Sequence, residues 1–562
     1  MEEYEDPFKK RKKVILRILQ EATGEQDVQL VDGGEHAHLA STIAFTQAKK
    51  QKVSPVQIAQ NLVRIVNDNP EFQATGAHAE AQGPYINFSL DTSYLVESLQ
   101  SAIKPGYGSL AKKGIRVVLE HTSANPNGPL HVGHIRNSII GDTLARVFRK
   151  AGYGLEVQYY VNDMGRQIAI VVWGFENLDS TILEGEKEDA HIARVYIAAN
   201  REIERDPTIT QQVNTLMQLV EHGDPATAKK FRREVSRCLD GFAVTLKDLN
   251  VKHDRFVWES DFIRNGYTDR IIAKIKKLPQ VQEEEILALD LKDFGFTNKY
   301  IIRRSDGTSV YAARDLAYHL WKGANFDRVI DVLGADHKLI ASQLQCTMKL
   351  LGEKAPEIIH FEFVSLPEGS MSTRAGKFVS ADDLITEIRK RAFDEVTVRR
   401  PELDEATRRS IAQSVGLAAI RYDIIKVTPE KSTVFDWKEA LDFERQSGPY
   451  IQYAHARACS ILEKAGIFSL CYELKTTQEI ALAREIAKFP SVIEKVTEEL
   501  HPHVLATYAR ELADVFNSFY HFEQVLKSEG QVRERRLTLV RAAQNTLKEA
   551  LETLGIDAIS TM

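Results

Sequence analysis

The sequence predicts a multidomain α/β protein with a Rossmann-like parallel-sheet core, an inserted region, a small N-terminal α+β domain and an all-α C-terminal bundle. Three observations carry this prediction. The stretch from Ile115 to Val161 reads strand, tight loop, helix, strand. Apolar residues recur at helical spacing almost everywhere after Asp382. Finally, 562 residues are too many for one hydrophobic core.

Taken in order, helical signals dominate up to Thr75, and "AEAQGPYINFSL" then alternates as a strand does. The linker "KPGYGSLAKKG", Lys104 to Gly114, closes an N-terminal domain over 1–110. In "IRVVLEHTS" the β-branched apolar residues predict a buried strand, which Pro126, Gly128 and Pro129 break. Val132, Ile135, Ile139, Ile140, Leu144, Val147 and Phe148 follow at three- and four-residue spacing, and "LEVQYYV" completes a βαβ unit. The core is expected over 111–172 and 296–385, interrupted over 173–295 by a charged, mostly helical insertion. A helical stem over 386–440 and a helical domain over 441–562 follow.

Composition excludes several classes. A hydrophobic fraction of 43% with 27% charged residues is ordinary for a soluble globular protein, and no apolar run approaches bilayer length. The N-terminus is acidic and then basic, without a signal-peptide core, so a cytoplasmic protein is expected. Cys238, Cys346, Cys459 and Cys471 lie far apart and form neither a CxxC zinc pattern nor a disulfide framework. His36, His38, His501 and His503 come in H-x-H pairs without acidic or cysteine neighbours, so no metal site and no structural zinc are expected. The net charge is −6, so nucleic-acid contacts must come from local basic patches. The runs Lys9 to Lys13 and Arg533 to Arg536 are the candidates; a solvated charged face is the plainer reading of each.

The most informative segment is "SANPNGPLHVGHIRNSIIGD". A helix start after a strand carries unpaired N–H groups and a partial positive charge, which attract phosphate. His131 and His134, about one turn apart, would face that spot and could donate to charge developing on a phosphate. Gly133 removes a side chain, so that a flat base can lie against the backbone. Chance predicts on the order of 0.03 H-x-G-H matches in a chain of this composition. Elsewhere "YAARD" puts Tyr311 and Asp315 on one helical face. Tyr85 and Asn87, two apart in a strand, share a face suited to stacking and hydrogen bonding one base.

"HVGH" resembles the HIGH signature of class I aminoacyl-tRNA synthetases, and the longer segment resembles its arginyl-tRNA synthetase version. The resemblance runs along nearly the whole chain, through "HLASTIAFTQAKK", "YVNDMGRQ", "RRSDGTSVYAARDLAY", "GADH", "FDWKEALDFERQSGPYIQYAHAR", "NSFYHF" and "LGIDAISTM". It implies an arginine–tRNA ligase in which ATP and L-arginine form arginyl-adenylate and tRNA(Arg) takes the arginyl group. ATP is a substrate, with Mg2+ expected, and a monomer without membrane association is implied. ATP would meet His131, Gly133, His134, Gly334, Asp336, His337, Met371 and Ser372. Arginine would meet Glu120, Asn125, Glu259, Tyr311, Asp315 and Gln343. For tRNA, Tyr85 and Asn87 would contact the D-loop, and Tyr450, Tyr453, Tyr520 and Met562 the anticodon.

One departure from the family pattern stands out. Where class I enzymes carry a KMSKS loop, this chain reads "GSMSTRAGKFVS", with Ser370 and Thr373 at the two lysine positions. Some arginyl enzymes compensate with a lysine upstream of HIGH, but "PNGPL" has none. A cation is still required on the pyrophosphate side, and Arg374 and Lys377 are assigned that catalytic role beside His131 and His134. The competing readings are a synthetase-like tRNA-binding protein that has lost catalysis, or another class I synthetase or nucleotidyltransferase. Intact His131, Gly133 and His134, the Tyr311/Asp315 pair and the long helical C-terminal domain weigh against them.

Overall fold

The computed structural model describes residues 5–34, 37–304, 310–366 and 379–562. Its organising element is a five-stranded, wholly parallel sheet: β1 (Arg116–Glu120), β2 (Gly154–Val161), β3 (Arg255–Trp258), β4 (Arg328–Gly334) and β5 (Glu357–Phe361), in the order β5-β4-β1-β2-β3. Val117, Val118 and Leu119 of β1 are fully buried, as a central parallel strand covered on both faces requires. Strand order reverses direction between β1 and β4, and that switch point is where open α/β sheets bind ligands.

β3 lies inside the stretch expected as a mostly helical insertion. It pairs with β2 from Gln158↔Arg255 to Val161↔Trp258. Four residues, "RFVW", are too few to show alternation, which is why the pattern missed it. The insertion otherwise contributes helices Glu188–Arg205, Ile209–Glu221 and Pro225–Asp248. A small antiparallel sheet of Val281–Glu283, Leu287–Leu289 and Tyr300–Arg303 also stands outside the expected pattern.

The N-terminal unit is a four-stranded antiparallel sheet under helices Pro7–Thr23 and Pro55–Asn67, with Ile15, Leu19, Leu62, Phe72, Ile86 and Phe88 in its core. The stem helices are Ala381–Arg399 and Glu405–Ile425. The expected boundary at 385 therefore falls within a continuous helix. Helices Gly448–Ala465, Thr477–Ala487, Phe489–Glu499, His503–Phe522 and Gly530–Thr553 build the C-terminal bundle. Arg421, fully buried, ties the stem to the rest. It donates to Asp142 (2.7 Å), to the Leu249 carbonyl (2.7 Å) and to the Leu554 carbonyl (2.7 Å). A Cβ at Gly555 would meet its guanidinium carbon at 2.3 Å, so only glycine lets it pass.

Both basic runs have members engaged inside the protein, while Lys10 and Lys13 remain exposed. Arg11 is buried and makes a fork to Glu97 (2.6 and 3.2 Å), and Lys9 pairs with Glu494. Arg535 meets buried Glu479 at 2.8 Å, and Arg536 pairs with Glu523. These residues knit domains and helices together. Among the described residues no helix is long and apolar enough to cross a membrane.

Candidate functional site

The loop that follows β1 leaves the sheet through a sharp bend. Thr122 (φ +71°) and Ser123 (φ +39°) both lie in the left-handed region, which costs free energy for residues with a Cβ. Hydrogen bonds hold the bend. The Thr122 N–H donates to Asn137 (2.8 Å), and its hydroxyl lies 2.8 Å from Ser138. The Ser123 hydroxyl donates to Glu120 Oε1 (2.9 Å) and accepts the Tyr160 N–H (3.0 Å).

The loop then delivers His131 to the N-cap of helix Val132–Lys150. His131 Nδ1 accepts the Gly133 N–H (3.1 Å), and His134 Nδ1 accepts the His131 N–H (3.2 Å). The two rings stack with centroids 3.6 Å apart. Burial lowers the His131 pKa, and burial plus its neighbour lowers that of His134 to about 3. Both imidazoles are therefore neutral. With each Nδ1 accepting, this hydrogen-bond assignment puts the proton on Nε2. Of the two options open from sequence, neutral and charged donors, the unliganded protein holds the neutral one. Gly133 has a further role, since a Cβ there would meet the His131 ring at 2.8 Å.

These histidines line a cleft of about 980 Å³ together with Asn125, Gly128, Gln167, Ser380 and Asp383. Arg194 and Arg201 of the inserted helix Glu188–Arg205 line the same cleft, and nothing in their sequence context had marked them. A bridge between His131 and Ser380, with the Ala381 N–H donating to the Leu130 carbonyl (2.7 Å), holds the start of the stem against the motif. Gly334 ends β4, and exposed Asp336 and His337 follow on a 3-10 turn, 3.2 Å apart. A Cβ at Gly334 would meet Asp336 Oδ1 at 2.4 Å. Met371, Ser372, Arg374 and Lys377 lie outside the described residues.

On the other side of β1 the site is built of charge. Register aligns Asp331 (β4), Glu120 (β1), Gln158 (β2) and Arg255 (β3) in one row on one sheet face. Helix Tyr311–Asn325 packs over it. Lys322, fully buried, reaches Glu120 (2.5 Å) and Asp331 (2.7 Å). His319 joins Asp331 (2.7 Å) to Asp315 (3.0 Å), and the Tyr318 hydroxyl donates to Gln158 (2.6 Å). Burial and Lys322 oppose a charge on His319, but Asp331 and Asp315 outweigh them and raise its pKa to about 10. Asp331 is held below the usual carboxylate range by Lys322 and His319 against its burial.

Asp315 and Tyr311 lie on the outer turns of the same helix, as their spacing predicts. The Asp315 carboxylate is partly exposed, and Tyr311 is 54% exposed. A Cβ at Gly165 (φ +109°) would come within 2.7 Å of the Tyr311 hydroxyl, so the "NDMG" turn abuts this ring. Glu259, 1% exposed, begins the helix after β3. Burial pushes its pKa up to about 8, although Arg314 lies 3.5 Å away. Turned to satisfy its partners, the Asn162 amide donates to Glu259 at 2.8 Å. Asn125 is exposed beside Asn162 (3.2 Å). Gln343 is buried and donates to the Asn298 carbonyl (3.2 Å).

Sequence reasoning missed Lys322, His319 and Asp331. The signal available was spacing alone, because Asp315, His319 and Lys322 fall at i, i+4 and i+7 of one helix.

The remaining candidates lie on two distant surfaces. Tyr85 (48% exposed) and Asn87 share a strand face, and the exposed Phe45 ring meets Tyr85 edge-on at 5.5 Å. In the C-terminal bundle Tyr453, Tyr520 and Met562 line a cleft of about 340 Å³ with Arg457, whose guanidinium lies over both tyrosine rings. Tyr450 is pinned by Asp514 (2.7 Å) and Asn517 (3.0 Å).

Comparison with known proteins agrees with this layout. The model for the catalytic domain of class I tRNA synthetases (R) matches residues 98–437. That for the arginyl tRNA synthetase N terminal domain matches 9–90, and that for the DALR anticodon binding domain matches 451–562. An arginine–tRNA ligase of Methanoregula boonei is 74% identical over 550 residues, covering 98% of this chain and 99% of the relative. One of Methanosphaerula palustris is 63% identical over 98% of this chain and 99% of its own. The solved arginyl-tRNA synthetase of Thermus thermophilus superposes with a TM-score of 0.85 at 29% identity, over 99% of this chain and 100% of that one. No match supports the non-catalytic alternative. A parallel sheet with a histidine-capped helix at its switch point, flanked by matching N-terminal and anticodon-binding domains and by full-length relatives of one kind, places this chain in the arginyl-tRNA synthetase family of class I aminoacyl-tRNA synthetases.

Proposed function

We propose that the cleft at the open ends of β1 and β4 is where this arginyl-tRNA synthetase family member joins ATP and L-arginine into arginyl-adenylate, releasing diphosphate. The arginyl group then passes to the terminal adenosine of tRNA(Arg), releasing AMP. One observation carries the reading: two neutral imidazole donors at a helix N-terminus share a strand end with a group of carboxylates. Phosphate suits the first and a guanidinium suits the second.

In this reading the Nε2–H groups of His131 and His134 donate to the ATP phosphates, and do so most strongly as charge grows in the transition state. Neutral in the unliganded protein, they meet the incoming phosphates as hydrogen-bond donors and not as preformed cations. Gly133 admits the nucleotide, while Gly334, Asp336 and His337 meet the nucleoside. Met371 and Ser372 complete the ATP site, and Arg374 and Lys377 supply cations on the leaving-group side. Asp315, Tyr311 and Glu259 read the guanidinium; Glu120, Asn125 and Gln343 serve the amine and carboxylate of arginine. Among the described residues no group of three His, Cys, Asp or Glu side chains could hold a metal ion. Magnesium is expected to arrive on ATP, bound through phosphate oxygens and water.

Tyr85 and Asn87, exposed on one strand face, are proposed to receive a D-loop base. Tyr450, Tyr453, Tyr520 and Met562 are proposed to receive the anticodon. The same reading takes the enzyme as a cytoplasmic monomer, checked by its mass in solution.

Arginine-dependent ATP–pyrophosphate exchange tests the proposal. Exchange is expected only with tRNA present, because arginyl enzymes as a family order the site through the acceptor end. Absence of exchange despite tRNA binding would favour the non-catalytic reading. Within the pocket, Asp315→Asn removes a charge-assisted bond of about 1.5 to 3 kcal/mol. Arginine efficiency is then expected to fall roughly tenfold to a hundredfold, with the KM for ATP spared. The preference for arginine over citrulline should shrink with it, and an unchanged preference would remove Asp315 from the pocket.

A further inference from the structure

Two tyrosine hydroxyls near the amino-acid end, those of Tyr160 and Tyr300, are buried and have no hydrogen-bond partner among the described residues. Buried polar groups are almost always paired, so an orphan is costly in the unliganded protein unless a ligand completes it. Neither is a casual packing position. Tyr160 stands two residues after Gln158 on β2 and therefore on the same sheet face as Gln158 and Glu120. Its ring lies flat on that of Tyr318, with centroids 4.6 Å apart and planes at 15°. Tyr318 has its own acceptor in Gln158 (2.6 Å), so the stack needs nothing from the Tyr160 hydroxyl.

Tyr300 comes from elsewhere, the strand Tyr300–Arg303 of the small antiparallel sheet, and is 4% exposed. Both hydroxyls are within electrostatic reach of Asp315, and that of Tyr160 also of Glu259 and Arg314. Two separate elements thus each leave an unused neutral oxygen in the neighbourhood of one carboxylate.

The ligand group that fits is planar, cationic and rich in donors. A guanidinium has five N–H groups pointing outward around a planar fork, so meeting all of them takes acceptors on several sides and not only the carboxylates of Asp315 and Glu259. A lysine ammonium concentrates three donors at one point and cannot reach acceptors spread around a pocket. We propose that Tyr160 and Tyr300 are specificity-determining residues whose hydroxyl oxygens accept guanidinium N–H groups and so complete the arginine pocket. This rests on the reading that Asp315 and Glu259 face the guanidinium. The oxygens are uncharged, so they add directional bonds without adding to the carboxylate charge already gathered there.

Tyr160→Phe and Tyr300→Phe each delete one oxygen and keep the ring. Steady-state aminoacylation and melting of the unliganded protein are measured for both variants and for Asp315→Asn. Each Phe variant is expected to raise the KM for arginine by about tenfold or more, with the KM values for ATP and tRNA unchanged. The unliganded melting temperature should stay level or rise, because no bond is lost in that state. A structural hydroxyl would instead lower the melting temperature and move all three KM values together, which would overturn the proposal. An unchanged KM for arginine in both Phe variants would also overturn it. If Asp315→Asn still raises that KM, only the tyrosine inference has failed; if it too leaves arginine unaffected, the reading of the pocket has failed with it.

Discussion

The two ends of the cleft are built on opposite electrostatic plans. The phosphate end is organised around one continuous segment, Ser123 to His134, whose imidazoles are neutral in the unliganded protein and whose helix start presents backbone N–H groups, with Arg194 and Arg201 lining the same cleft. The amino-acid end gathers Glu120, Glu259, Asp315, His319, Lys322 and Asp331 from four separate elements, and most are buried. The difference follows from what each must bind. Diphosphate has to leave after the first step, so neutral donors at the helix start hold it less tightly than ion pairs at that point would. Arginine must be told from other amino acids by a group that is always ionised, so compensated charge is needed. Such charge is stable out of water only when every member has a partner.

The largest effect should come from breaking that compensation. Lys322 is the cation between Glu120 and Asp331, so Lys322→Met leaves two buried carboxylates with His319 as their remaining ion-pair partner and only the Ser123 hydroxyl on Glu120. Removing one member of a buried ion pair costs about 3 to 5 kcal/mol. Melting of the catalytic domain should fall by several degrees or more, and the variant should regain stability when Glu120→Gln is added. No loss of stability would mean that the row of charges does not act as a unit.

At the phosphate end the counterpart change should cost about 1 kcal/mol of stability, the worth of one cap, and strike mainly the reaction. His134→Ala removes a neutral donor and a cap on the His131 N–H. Loss of one transition-state donor costs about a hundredfold or more in rate. Single-turnover adenylate formation should slow by that factor while tRNA binding stays intact. Equal slowing of both, or of neither, would contradict the assignment to phosphate.

The same contrast explains what could be read from sequence. The histidine-capped helix was legible because its parts are neighbours in the chain and the strand, loop and helix around them each carry a local pattern. The charged end was legible only where a helix brings residues four apart together, as for Tyr311 and Asp315. Glu120 could be seen to need a partner, but Lys322 lies 202 residues away, and nothing local links them. Tyr160 and Tyr300 read as ordinary strand aromatics; their orphaned hydroxyls exist only in three dimensions. β3 was missed for a related reason, since its place is fixed by pairing with β2 and not by its own four residues. The basic runs show the converse error, where a local pattern suggests a surface and long-range partners such as Glu97, Glu494 and Glu479 turn much of it into struts.

The smallest predicted effect separates the two ends by pH alone. Between pH 7 and 8.5 the two histidines of the phosphate end do not titrate in the unliganded protein, because burial lowers His131 and His134 lies near 3. At the other end His319, at about 10, stays charged, while Glu259, at about 8, loses its proton within the window. The raised value means that the folded, unliganded protein holds a proton on Glu259 which the unfolded chain has released by pH 7, so this group's contribution to stability declines as pH rises toward 8. An incoming guanidinium reverses the preference: it favours the carboxylate, lowers its pKa and expels the proton. Arginine binding should therefore tighten as pH rises through the window. Going from pH 7 to 8 increases the ionised fraction of a group of pKa about 8 by about fivefold, and the KM for arginine should fall by that factor and then level off. The KM for ATP should stay flat over the same range. Glu259→Gln, which cannot titrate, should abolish the slope for arginine; a slope that persists in this variant would move the proton to another group and take Glu259 out of contact with the guanidinium.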